Sequence, residues 1–123
     1  MLSGRGRTAH PEMSFRVVHR YGANDRDPPL ETLASLVSEL DEDPEDIEHT
    51  SVGVVHESDW SIEAFINGLV TLEHLEELDI EPRHLYVSNR DEAVQLLRTA
   101  AEGRFDELLA EPWQPGYGSG TSP

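Results

Sequence analysis

The run Trp60-Ser-Ile-Glu-Ala-Phe-Ile-Asn-Gly-Leu-Val-Thr-Leu-Glu-His-Leu75 leaves this chain little freedom in how it folds. Asn67-Gly68 supplies the two positive-φ positions of a type I′ turn between runs rich in apolar, β-branched and aromatic residues. A two-residue turn predicts the register. Ile66 then faces Leu69, Ala64 faces Thr71, Ile62 faces Glu73, and Trp60 faces Leu75. One face of the hairpin carries Trp60, Ile62, Ala64, Ile66, Leu69 and Leu75. The other carries Glu63, Phe65, Val70, Leu72 and His74. The first face is the more apolar, so it is expected to pack on helices.

The remaining elements follow from punctuation and periodicity. Phe15 to Tyr21 reads as a first strand closed by Gly22, and Gly22 to Asp27 as a polar loop. Asp27-Pro28-Pro29 opens a helix, with Asp27 as N-cap. Leu30, Leu33, Leu36, Val37 and Leu40 form its apolar stripe, and Pro44 stops it near Leu40 to Glu42. Ser51 to Glu57 is a second strand, and Ser58-Asp59 a short turn into the third, Trp60 to Ile66. Leu69 to Leu75 is the fourth, and Leu85 to Val87 a possible short edge strand. Ser88-Asn-Arg-Asp91 has capping-box spacing. It precedes an amphipathic helix through Ala93, Val94, Leu96, Leu97, Ala100 and Ala101, closed by Gly103. Phe105 to Ala110 is a short helical segment, and Trp113 folds back after Pro112. The expected fold class is α+β, with an antiparallel sheet of about four to five strands (meander and hairpins) packed against about two or three helices. Residues 1–12 are expected to be a disordered N-terminal extension, 13–115 a single α+β domain, and 116–123 a flexible C-terminal tail. Met1 and Met13 are both acceptable starts.

Charge is distributed unevenly. Glu31 to Glu81 holds sixteen Asp or Glu residues and no Arg or Lys. The other nine acids balance the nine arginines, so the formal charge of −16 lies entirely within that stretch. Such a surface disfavours nucleic acid and anionic membranes as direct partners and favours cationic proteins or metal ions. Simple solubility is the bland alternative. Glu39, Asp41, Glu42 and Asp43 oppose the dipole at the end of the first helix, at about 0.3–1 kcal/mol per charge. No Arg within the stretch offsets them. They are either kept for function or held in a flexible, solvated loop.

Catalytic chemistry finds no foothold. There is no cysteine, no glycine-rich phosphate loop and no nucleophile elbow. Paired carboxylates are too abundant to mean anything. None of the six histidines forms the helical i, i+4 pair of a zinc site. Under the predicted register His56 and His74 share the mixed hairpin face with Glu63 between them, an arrangement more typical of wet-face histidines than of a metal site. No enzyme activity, cofactor or metal is expected. No apolar run approaches the roughly 18 residues of a membrane span. The arginine-bearing N-terminus lacks the apolar core of a secretory signal. A cytoplasmic protein is expected.

From Leu30 to Trp113 the chain resembles bacterial immunity proteins of polymorphic toxin systems, in particular immunity protein family one. The likeness rests on an early helix at Leu30 to Leu40 and the strand and acidic turn Val52-Gly-Val-Val-His-Glu-Ser-Asp59. The hairpin Ile62 to Leu75, the late helix Asp91 to Ala101 and the closing Glu111-Pro-Trp113 complete it. The resemblance implies a protein that binds a cognate toxin of the deaminase or nuclease kind and covers its basic active-site groove. The implied partner is a basic toxin domain held in a 1:1 complex with the monomer, with no direct contact to nucleic acid or membrane. The candidate partner-binding residues are Glu57, Asp59, Trp60, Glu63, Glu73, Glu76, Glu77 and Asp79. Trp60 fits core or core edge as well as interface anchor. The alternative function is an acidic regulatory or nucleic-acid-mimic module for another basic protein.

Overall fold

The computed structural model describes residues 14–118. Seven strands form one antiparallel sheet: β1 (Phe15–Val18), β2 (Asn24–Arg26), β3 (Ser51–His56), β4 (Trp60–Phe65), β5 (Leu69–His74), β6 (Arg83–Tyr86) and β7 (Gln114–Pro115). Their spatial order is β2-β1-β3-β4-β5-β6-β7. Three helices, α1 (Thr32–Ser38), α2 (Arg90–Ala101) and α3 (Phe105–Leu109), complete an α+β architecture. The sheet exceeds the expected four to five strands by its two outermost members. β2 is wholly exposed and polar, and β7 is two residues long and ends in proline. Neither carries the apolar alternation by which strands announce themselves. No described helix is long and apolar enough to cross a membrane. The predicted extension at residues 1–12 lies outside the described residues.

The hairpin exists, but its register differs from expectation by one residue. Ile62 pairs with Leu72, Ala64 with Val70, and Trp60 with His74. The loop holds three residues, Ile66, Asn67 and Gly68, in place of two. Gly68 N–H donates to the Phe65 carbonyl at 3.0 Å, and Gly68 alone sits in the left-handed region at φ 93°. This is a type I turn closed by a left-handed residue, the next commonest solution for the same dipeptide. A one-residue slip turns every side chain of one strand over relative to the other. Val70 and Leu72 therefore join Ile62 and Ala64 in the core. Leu69 lies on the opposite face with Phe65 and Glu63, and Leu75 is exposed just beyond β5. The β3–β4 connection has the same design: Asp59 N–H donates to the His56 carbonyl at 2.9 Å, with Asp59 at φ 75°.

The inner sheet face presents Val17, Val52, Val54, Ile62, Ala64, Val70 and Leu72, all buried. Leu33, Leu36 and Val37 of α1 and Ala93, Leu96, Leu97, Ala100 and Ala101 of α2 close over it. Each fully buried Leu, Ile or Val contributes about 1.5–3 kcal/mol. Gly103 ends α2 at φ 75°, as expected. Its N-cap is Asn89, which accepts from Glu92 N–H at 2.9 Å, one residue later than the predicted Ser88 cap. Asp27 does not cap α1. It sits at φ 50° and accepts the Phe15 N–H at 2.8 Å, tying the strand β1 to the end of β2.

The acidic end of α1 is compensated from outside the acidic stretch. A 3-10 turn, Glu39–Asp41, extends α1. Arg20, only 3 % exposed, inserts its guanidinium beneath it. Arg20 donates to the carbonyls of Glu39 (2.9 Å), Glu42, Asp43 (3.1 Å), Asp46 (3.2 Å) and His49. The orphan carbonyls that a helix end leaves are thus satisfied by a cation with the favourable sign for the dipole. Arg90 adds an ion pair to Asp41 at 3.0 Å and a bond to the Ile66 carbonyl at 3.0 Å.

Candidate partner-binding surface

Two loops meet at the end of the sheet opposite Arg20, called here the Trp60 end. The first is Glu57-Ser58-Asp59 between β3 and β4. The second runs from Leu75 to Pro82 between β5 and β6. Leu75 N–H donates to the Asp59 carbonyl at 2.8 Å and joins them. Each loop is also held by the histidine that ends its preceding strand. His56 Nδ1 accepts Ser58 N–H at 3.1 Å and lies 2.8 Å from Ser58 Oγ. His74 Nδ1 accepts the Glu76 and Glu77 N–H groups at 3.2 and 2.9 Å. Glu57, Asp59, Glu76, Glu77 and Asp79 are thereby gathered at one end, all exposed except the half-buried Asp59. Among the described residues, their side chains make no ion pair and no hydrogen bond.

Trp60 supports this end from below. It is partly buried against the core, stacked on Phe105 at 6.0 Å and edge-on to His74 at 5.0 Å. The corrected register places His56, Trp60 and His74 side by side on the inner face. His56 and His74 therefore do not share a wet face with Glu63: Trp60 separates them, and Glu63 points to the other side. No group of three His, Asp or Glu side chains among the described residues could hold a metal ion. His56 is 5 % exposed, and its Nε2 has no hydrogen-bond partner among the described residues. Burial pushes its pKa below the ordinary 6.5, with an opposing pull from Glu57.

Glu63 and Glu73 stand apart from the other candidates, on the helix-free face of the sheet. Glu63 accepts from the Ser51 hydroxyl, and Glu73 from the Tyr117 hydroxyl. The Glu73 bond raises the Tyr117 pKa above its ordinary value. The start of the C-terminal tail is thereby tied to the sheet, with a further contact of 3.0 Å between His84 Nδ1 and the Gly116 carbonyl. Residues 119–123 of the predicted flexible tail lie outside the described residues.

Sequence reasoning missed two apolar members of the surface. Leu75 and Leu78 are 41 % and 84 % exposed among the free carboxylates. Leu75 was expected to pack opposite Trp60, and the register slip releases it. Leu78 follows Glu76-Glu77 in a loop whose composition reads as purely polar. An apolar side chain ringed by charge is a common anchor in protein interfaces. The surface as a whole offers acceptors and apolar contact, which suits arginine- or lysine-rich ligands.

No family model matches the chain, and no curated protein or solved structure matches it significantly.

Proposed function

We propose that this chain is an immunity protein, a stoichiometric inhibitor that binds a basic toxin domain acting on nucleic acid and covers its phosphate-binding groove. One observation carries the reading. Five carboxylates at the Trp60 end are brought together by a backbone bond between two loops, yet none has a hydrogen-bond or ion-pair partner among the described residues. Arg16 and Arg26 line a depression beside Glu57 and Asp59 but bond to neither, so the assembled like charges are only partly compensated and repel one another. They are suited to an external cation, where each can accept charge-assisted hydrogen bonds and together they can speed association. Inhibition inside the producing cell, by a monomer in a 1:1 complex, completes the proposal.

The test is co-purification with the product of the adjacent gene at low and near-physiological salt, followed by assay of that product's activity. Tight binding that silences the partner and weakens with salt is the expected result. Glu57→Arg, Glu76→Arg and Glu77→Arg combined should abolish protection with the melting temperature unchanged or raised. Full protection by that triple variant would remove the Trp60 end from the interface.

A further inference from the structure

The helix-free face of the sheet contains a notch that the acidic loops do not explain. Gly53 forms its floor in the middle of β3. A Cβ at this position would lie 2.8 Å from the Ile62 carbonyl oxygen, so close approach of the strands keeps the residue a glycine. Val18 pairs with Gly53, and Gly53 pairs with Glu63, so the three form one row across β1, β3 and β4. Ser51, Val55 and Ser61 complete the walls of a depression of about 150 Å³. All five wall residues are half-buried. Among the described residues no helix packs here. The residues Gly116 to Gly118 cross the sheet further along, where Gly118 approaches Leu69 and His84.

The chemistry of the notch is uneven. Val18 and Val55 present apolar surface. Opposite them Glu63 holds a half-buried carboxylate whose Oε2 takes the Ser51 hydroxyl. Among the described residues Glu63 has no cationic partner. A partly desolvated charge bonded only to a hydroxyl is incompletely compensated. A ligand that fits must bring a positive head and an aliphatic stem. It must also donate in more than one direction, because Glu63 and Ser61 line the depression at separate positions along β4. Lysine is a compact point charge, whereas arginine offers a planar fork of five N–H donors.

We propose that the notch above Gly53 seats one arginine side chain of the basic partner, its guanidinium on Glu63 and its methylenes on Val18 and Val55. This assignment rests on the partner-binding reading and sharpens it: the Trp60 end supplies bulk attraction, and the notch supplies a defined anchor. It also gives Glu63 a separate role from the loop carboxylates with which its sequence position groups it.

The experiment is a titration of the whole protein with N-acetyl-arginine methylamide, followed by amide chemical shifts, so it needs no toxin. Saturable shifts at Gly53, Val55, Ser61 and Glu63 are expected. The lysine analogue should bind more weakly and the norleucine analogue should give no shifts at these amides. Glu63→Gln keeps the size and the Ser51 contact and should weaken arginine binding by about tenfold or more. Ser61→Phe fills the notch and should remove the shifts while leaving the Glu63 charge in place. Shifts that survive both substitutions, or that centre on Glu57, Glu76 and Glu77, would overturn the assignment. In the partner assay, wild-type binding undiminished by Glu63→Gln sinks the notch alone. Absence of any wild-type binding sinks the immunity reading instead.

Discussion

At the Arg20 end, Glu39 accepts from the Arg20 N–H at 2.9 Å and from His19 at 2.7 Å, and Asp41 pairs with Arg90. Asp46 takes His49 at 2.8 Å and two backbone N–H groups. At the Trp60 end, Glu57, Asp59, Glu76, Glu77 and Asp79 take nothing from within the described residues. Both ends look alike in composition. The Arg20 end builds Glu39, Asp41 and Asp46 into the fold and leaves Glu42, Asp43, Glu45 and Glu48 exposed, whereas at the Trp60 end none of the five has a side-chain partner among the described residues and two loops are joined to carry them. Local sequence choices that do nothing for stability are the ones to examine for function, so the difference directs attention to the Trp60 end.

The largest break in this contrast comes from Arg20. Arg20→Ala leaves several part-buried carbonyls without their donor and should destabilise the protein by about 3 kcal/mol or more, since each group left unsatisfied costs about 1–3 kcal/mol. Arg20→Lys keeps the charge but not the fork and should recover only part of that loss. Urea denaturation measures both. A loss under about 1 kcal/mol for the alanine variant would mean that the Arg20 end is not held as described.

Asp59 sharpens the contrast from the other side. It occupies the left-handed region, where an L side chain is strained. Asp59→Gly relieves about 1–2 kcal/mol of strain against about 0.4–1 kcal/mol of added unfolded-state entropy. The expected outcome is a gain of about 0.5–1 kcal/mol in stability together with weaker partner binding. A variant that gains stability and binds as well as before would show that Asp59 is a turn residue only.

The smallest effect is a pH dependence of opposite sign at the two ends. His19 bridges Glu39 and Asp25, and these bonds, Glu39 first, raise its pKa above 6.5. The stability it contributes is fully present below pH 6.5 and is lost as pH rises through its folded value. His56 is lowered by burial, so its contribution is present above pH 6.5 and is lost as pH falls toward its folded value. From pH 7.5 to 5.5, amide protection factors, which are referred to the intrinsic exchange rate at each pH, should rise around Glu39 and fall around Ser58 and Asp59. His19→Gln and His56→Phe should each remove one of these trends. Parallel trends at both ends would refute the opposed roles of the two histidines.

Much of the fold could be read from the sequence because its signals are local. The stripe Leu33, Leu36, Val37 specified α1, and Ala93 through Ala101 with Gly103 specified α2. The hairpin position was equally clear. Its register was not, since Asn67-Gly68 serves both a two-residue and a three-residue loop, and that choice decides which face holds Val70 and Leu72. Strand β2 was hidden because Asn24, Asp25 and Arg26 bury nothing. The buried Arg20 had no sequence signature, its acceptors being backbone carbonyls that any residue supplies. For the same reason the acids could be counted but not sorted: pairing of Glu39 or isolation of Glu77 depends on contacts across the fold. Glu63 was legible as a strand residue on the hairpin face opposite Trp60 and Ile62, but its grouping with the loop carboxylates as one binding surface was not supported by that placement.

Arg20 also orders events in time. Its guanidinium joins carbonyls from 19 to 29 residues downstream, a set of contacts that closes only when α1 has docked and the chain has returned toward β3. Closing such a loop costs entropy before any bond forms, so these contacts are suited to form after the folding transition state and not within it. Substitutions at Arg20 should then accelerate unfolding and leave the folding rate nearly unchanged. The acidic segment from Glu42 to His49 would be the last part of the Arg20 end to settle and the first to come loose.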